Sequence, residues 1–208
     1  MIDVHFVFLG AAIAAAGLVG YVVDTVRGRT QPNRVTWLLW AIAPLVAFAV
    51  EVQDGVGLRS LMTFTAGFGP LCVFVASFAN GALVWRLGRL DYVCGALSVG
   101  GTAWWLVTRQ GVVAIGAAVA ADALAAVPTL VKSWRAPESE SPVAYAGAFA
   151  NAGITLLTVT RASVAVVTFP AYIAAITLVE LALVGGRIGP RLRRLGAVGG
   201  DVSDSIAT

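Results

Sequence analysis

Apolar residues gather along this chain in seven long blocks, at roughly 4–26, 35–50, 60–84, 91–108, 112–132, 142–160 and 163–185. A helix needs about 20 such residues to cross a ~30 Å hydrocarbon layer. Each block is therefore predicted to be a membrane-spanning helix. The polar joints between blocks are short, so neighbouring helices must run antiparallel. No joint is long or polar enough to make a separate soluble domain. The final stretch, Gly199-Gly-Asp-Val-Ser-Asp-Ser-Ile-Ala-Thr208, reads as a disordered tail.

The blocks carry a repeat. Around Asp122-Ala-Leu-Ala-Ala-Val-Pro128-Thr-Leu-Val-Lys132, an apolar helix with an Asp and a Pro leads into a short basic loop. The loop breaks at Pro137, and Pro142 suits the first turn of the next helix, where a missing N–H costs nothing. Lys132, the only lysine, is expected in that loop. Moving back by 105 residues (132 − 27) finds the same layout in Val23-Asp24-Thr25-Val26-Arg27 through Pro32, with Tyr145 falling on Trp40. The offset persists downstream: Thr168-Phe169 falls on Thr63-Phe64, Ala171 on Ala66, Arg191 on Arg86 and Arg194 on Arg89. An offset of four spans makes both copies point the same way through the membrane. The expected architecture is all-α and integral to the membrane: seven transmembrane helices as two parallel three-helix bundles joined by an inverted linker helix. The boundaries are 1–89 for the first repeat, 90–110 for the linker, 111–195 for the second repeat and 196–208 for a cytoplasmic tail.

Composition agrees. The chain is 59% hydrophobic and 12% charged, with a mean hydropathy of +0.87; soluble domains carry about 25% charged residues. Its net charge of +3 comes from basic residues in the joints, which argues against a nucleic-acid surface. One side receives Arg27, Arg29, Arg34, Arg86, Arg89, Lys132, Arg135, Arg187, Arg191, Arg193 and Arg194, and the other only Arg59, Arg109 and Arg161. That bias predicts an inner (plasma) membrane protein with its N-terminus outside and its C-terminus in the cytoplasm. Met1-Ile-Asp3-Val-His5 lacks the basic start of a cleaved signal peptide, so the first block should remain a span. Cys72 and Cys94 lie inside apolar blocks and suggest neither a disulfide framework nor a metal site. No metal and no cofactor is expected.

Three-helix repeats joined by an inverted linker, with Pro128-Thr129-Leu-Val-Lys132-Ser-Trp134 near the inner end of one first helix, resemble the SWEET and PQ-loop transporters. The nicotinamide-riboside transporter family shares the plan. The other copy, Val23-Asp24-Thr25-Val26-Arg27, lacks the motif proline. The resemblance implies alternating access between the two bundles, with hinge prolines in the first two helices of each repeat. Pro44 and Pro128 fit those positions, while Pro70 and Pro170 are further candidate hinges in spans 3 and 7. A static kink is the alternative for all four. The resemblance also implies that aromatic residues stack on a sugar or nucleoside ring or close an inner gate, a role for Trp37, Trp40 and Tyr145. An interfacial aromatic belt, as expected of Trp104 and Trp105, is the competing reading.

Ionisable groups inside spans are costly and mark function by default. Asp122 stands near the middle of span 5, and Glu180 lies toward the inner end of span 7 with Thr177 one turn before it. All three are expected to bind substrate, with proton coupling as the alternative role of the two carboxylates. Asp24 is a gate candidate, or an ordinary ion pair with Arg27 or Arg29. Asn151 in span 6 shares a face with Thr155 and Thr158, and its amide can both donate to and accept from a hydroxylated substrate. Hydrogen-bonding glue between helices is the bland alternative.

The leading expectation is a transporter of a small polar metabolite, with sugar first and a vitamin precursor or nucleoside next. Expected partners are that solute, the lipid bilayer and possibly further copies of the chain. A retinal protein needs a lysine in its last helix, and span 7 has none. An enzyme is not expected: one histidine, no metal spacing and no nucleophile paired with a base argue against catalysis. A non-transporting receptor or scaffold on the same fold stays open.

Overall fold

The computed structural model describes residues 2–53, 55, 57–79, 85–108, 111–162 and 164–194. Among these residues the chain is all-helical. The α-helices are α1 (Phe6–Val26), α2 (Arg34–Gln53), α3 (Ser60–Ala76), α4 (Arg89–Thr108), α5 (Gly111–Arg135), α6 (Pro142–Leu157) and α7 (Val164–Gly186). Short 3₁₀ turns at Gly57–Arg59 and Pro137–Ser139 precede α3 and α6. The third apolar block was expected to run to 84, but its helix stops at Ala76; residues 80–84 lie outside the described set, as do Arg109, the side chain of Trp105 and the 196–208 tail.

Among the described residues three helices are long and apolar enough to cross a membrane: Phe6–Val26, Gly57–Ala76 with its leading 3₁₀ turn, and Val166–Gly186. At about 1.5 Å per residue such helices reach some 30 Å. Arg34–Ala49 and Pro142–Leu157 are apolar but shorter, and α5 carries Asp122, Lys132 and Arg135.

The burial pattern inverts that of a water-soluble domain. In α1 the buried positions are Val7, Gly10, Ala11, Ala14, Gly17, Tyr21 and Thr25, while Phe6, Phe8, Leu9, Ile13, Val19 and Val26 face outward. Large apolar side chains outside and small or polar ones inside suit a chain whose surroundings are apolar. The aliphatic and aromatic core is correspondingly small, with Tyr21, Trp37, Val73 and Ala144 at its centre.

Small residues also set the most extensive helix contact. α1 packs along α6, and a Cβ placed on Gly17 would stand 2.6 Å from the Val143 carbonyl oxygen. A Cβ on Gly147 would meet the Ile13 carbonyl oxygen at 3.0 Å. Backbone therefore touches backbone across this seam. Elsewhere α3 packs on both α1 and α2, α7 on both α5 and α6, α2 on α5, and α4 on α5 and α2.

Lys132 corrects the sequence reading. It does not sit in a loop: α5 continues to Arg135, and the Lys132 side chain is fully buried. A carboxylate supplied by the following segment makes that burial tolerable.

Candidate functional site

The end of α1 shows how the sequence builds one wall of the site. Gly28 takes φ +73°, and its N–H bonds to the Thr25 carbonyl while Arg29 N–H reaches the Asp24 carbonyl at 2.8 Å. This Schellman termination needs a residue free to adopt positive φ, hence glycine. The chain then turns so that Gln31 N–H donates to the Ser139 carbonyl at 2.9 Å. Asn33 restarts the helix: its Oδ1 accepts from the N–H groups of Val35 and Thr36 at 3.1 and 3.3 Å, an N-cap for α2. The Asn33 amide also donates to Asp91 of α4.

Opposite this turn lies a buried polar knot. Lys132 Nζ pairs with Glu140 Oε1 and donates to the Gln31 carbonyl. The hydroxyls of Tyr21 and Tyr145 both donate to Glu140 Oε2, at 2.6 and 2.9 Å. Both charges of the pair are fully buried. A buried pair repays its desolvation only when extra hydrogen bonds complete it, and here the two phenols and a backbone carbonyl do so. The knot ties the α1–α2 turn to the segment between α5 and α6.

Beside the knot, six helices line a cavity of about 90 Å³, well above the ~10–15 Å³ needed to admit one water. Its walls are mostly apolar. α2 contributes Trp37, Trp40 and Pro44, spaced to share one helical face, and α6 contributes Tyr145, Ala148 and Asn151 in the same way. α7 adds Ile173, Ile176, Thr177 and Glu180; α3 adds Thr65 and Pro70; α1 adds Ala14 and Leu18. From α5 comes Asp122.

All six expected substrate-binding residues, Asp122, Asn151, Trp40, Tyr145, Thr177 and Glu180, thus meet in one space, together with Trp37, Pro44 and Pro70. Trp37 and Tyr145 are buried rather than set in an outer belt, whereas Trp104 of α4 is 60% exposed. Pro128 and Pro170 are buried but do not line the cavity. Asp24 also lies apart, with its Oδ1 3.4 Å from Arg29 Nη1 in an open ion pair. Proline has no N–H for the carbonyl four residues earlier, so Pro44 and Pro70 leave the carbonyls of Trp40 and Ala66, both in the cavity wall, without their helical donor.

The polar groups differ in how they are satisfied. Asp122 Oδ2 accepts from the Tyr172 hydroxyl at 2.7 Å, and Trp40 stands beside it. Asn151 Nδ2 donates to Thr65 Oγ1 at 3.1 Å, a bridge between α6 and α3, while its Oδ1 has no partner among the described residues. Thr177 and Thr155 turn their hydroxyls onto their own helices, toward the carbonyls of Ile173 and Asn151. Glu180 is 1% exposed, and neither of its carboxyl oxygens has a hydrogen-bond partner among the described residues. The indole N–H groups of Trp37 and Trp40 stand beside the Tyr21 hydroxyl and Asp122 respectively, each short of full hydrogen-bonding geometry.

Sequence reasoning missed Tyr21, Lys132 and Glu140 of the knot, and Tyr172. One signal was present: Glu140 follows the only lysine by eight positions across a proline-broken turn. Among the described residues no cluster of His, Cys, Asp and Glu could hold a metal ion. The chain matches no protein-family model, no curated protein and no solved structure.

Proposed function

We propose that this chain is a membrane transporter that moves a small polar metabolite by alternating access between two three-helix bundles, on the plan of the SWEET and PQ-loop proteins. The observation that carries the reading is the cavity: it lies among α1, α2 and α3 of one repeat and α5, α6 and α7 of the other, and it holds Asp122, Asn151 and Glu180. Solute sites of repeat-built transporters sit where the repeats meet. Packing supports the duplication independently. Exchanging α1, α2 and α3 with α5, α6 and α7 carries α1·α3 onto α5·α7, α2·α3 onto α6·α7, and α1·α6 onto α5·α2. That relation fits an axis along the membrane normal, with α4 as the inverted linker.

In this mechanism the α1·α6 seam, where backbones touch, holds the bundles together while they rock. The related α2·α5 interface is less extensive and is the side that opens. The Lys132–Glu140 knot closes the inner end, consistent with an N-terminus outside and a C-terminus in the cytoplasm. Sugar is the first solute class, with nucleosides or vitamin precursors next.

The test is uptake into vesicles reconstituted with the purified full-length chain, using sugars, nucleosides and vitamins. Asp122→Asn is expected to impair uptake without loss of folded protein. Specific binding with no flux for any solute would instead indicate a receptor on this fold.

A further inference from the structure

We infer that the solute is a small organic ammonium ion carrying an oxygen acceptor, held by Glu180 and Asp122 beside Trp37 and Trp40. This rests on the transport reading, since it names the solute of the same cavity.

The charge pattern motivates it. Among the described residues Lys132 is the one buried basic side chain near the cavity, and it is committed to Glu140 and the Gln31 carbonyl. That leaves Glu180 and Asp122 facing the cavity with no cation of their own. Ser133 stands beside Glu180 without reaching hydrogen-bonding geometry, and the other charged groups near Glu180 are Lys132 and Glu140. An apolar cavity tolerates a carboxyl group as a neutral acid or beside a cation. Protonation alone offers the acid O–H of Glu180 only the Ser133 hydroxyl beside it and leaves the charge of Asp122 unanswered. An ammonium ion answers the carboxylate charges and gains from the aromatic groups beside them, and an oxygen on the same molecule accepts from an indole N–H. A neutral polyol would satisfy the hydrogen bonds but leave the carboxylate charges unanswered.

Choline and its uncharged carbon isostere, 3,3-dimethylbutan-1-ol, differ in charge and hardly in shape. Calorimetric titration of both into the full-length protein in lipid nanodiscs separates charge from fit. Choline is expected to bind and the isostere to fail. Glu180→Gln, checked for folding by circular dichroism, should weaken choline by about tenfold or more, the scale of losing a buried charge partner. Asp122→Asn should weaken it in the same direction, so one misfolded variant does not decide the matter. Equal binding of choline and the isostere, no binding of choline, or undiminished binding to both variants overturns the inference. Vesicle uptake read in parallel keeps the two proposals apart. Flux of a neutral sugar without choline binding sinks the ammonium inference and keeps the transporter; choline binding with no flux of choline or any other solute does the reverse.

Discussion

Tyr21 of α1 and Tyr145 of α6 donate their hydroxyls to the same oxygen, Oε2 of Glu140, at 2.6 and 2.9 Å. One residue from each expected repeat therefore converges on a carboxylate whose other oxygen holds Lys132. The arrangement converts a charge pair that would be hard to bury into a cross-link between the two halves. It also places a polar cluster directly beside the cavity, since Tyr145 lines the cavity and its hydroxyl bonds to the knot.

Breaking the pair from one side should cost more than removing it. Glu140→Gln leaves Lys132 buried without a counter-charge, a loss of about 3–5 kcal/mol, and Lys132→Met leaves Glu140 in the same position. The double variant should recover a large part of either loss. Denaturant unfolding of the four proteins in one detergent provides the cycle. Losses that simply add would mean that the two side chains are not coupled.

The α1·α6 seam makes a sharper steric prediction. Gly17→Ala puts a methyl 2.6 Å from the Val143 carbonyl oxygen, a backbone atom that cannot swing aside. Overpacking of this kind costs about 1–3 kcal/mol. Gly20, one turn along the same helix, has nothing within 4 Å of its Cβ position. Gly20→Ala should be neutral or stabilising by up to ~1 kcal/mol, through helix propensity. Melting temperatures should fall for the first variant and hold or rise for the second; the same shift in both would locate the seam elsewhere.

How far the sequence could be read follows from which forces are local. The seven helices are legible because each is a continuous apolar block, and the start of α6 is legible because proline tolerates the first turn. The cavity residues stood out because a carboxylate or amide inside an apolar block is conspicuous without knowing its neighbours. Lys132 was misplaced for the opposite reason. A basic residue near a block end looks like an ordinary loop residue until its partner is known, and the phenol that completes that partner lies 119 positions away. Tyr172 is similar: in an apolar block a tyrosine reads as bulk, and its bond to Asp122 spans 50 positions. Asp24 could be read either way, since its partner Arg29 is local and solvent-facing.

That missed tyrosine yields a third test. Tyr172→Phe removes the donor to Asp122 Oδ2 and leaves Asp122 with only Trp40 beside it. Hydrogen bonds to charged groups contribute about 1.5–3 kcal/mol, so unfolding should shift by an amount in that range. Asp122→Asn, whose amide oxygen can still accept from Tyr172, should destabilise less. The two variants should rank the other way in uptake if the carboxylate itself contacts solute. Comparing their unfolding midpoints with initial uptake rates decides between a positioning role for Tyr172 and a purely structural bond.

The prolines allow the proposed hinge motion to be tested apart from the proposed binding. Pro44 lies in the cavity wall and deprives the Trp40 carbonyl of its helical donor, whereas Pro128 is buried in α5 away from the cavity. Both interrupt the regular ladder and permit bending. Pro128→Ala restores an N–H without adding volume near the solute, so it should slow exchange across vesicles while leaving the equilibrium binding constant unchanged. Pro44→Ala should slow exchange and also alter binding, because it changes the cavity surface. Solute-exchange rates and equilibrium binding, measured on the same preparations, test the contrast. A loss of binding in Pro128→Ala that matches its loss of rate would mean that the proline supports the fold of α5 and is not a hinge.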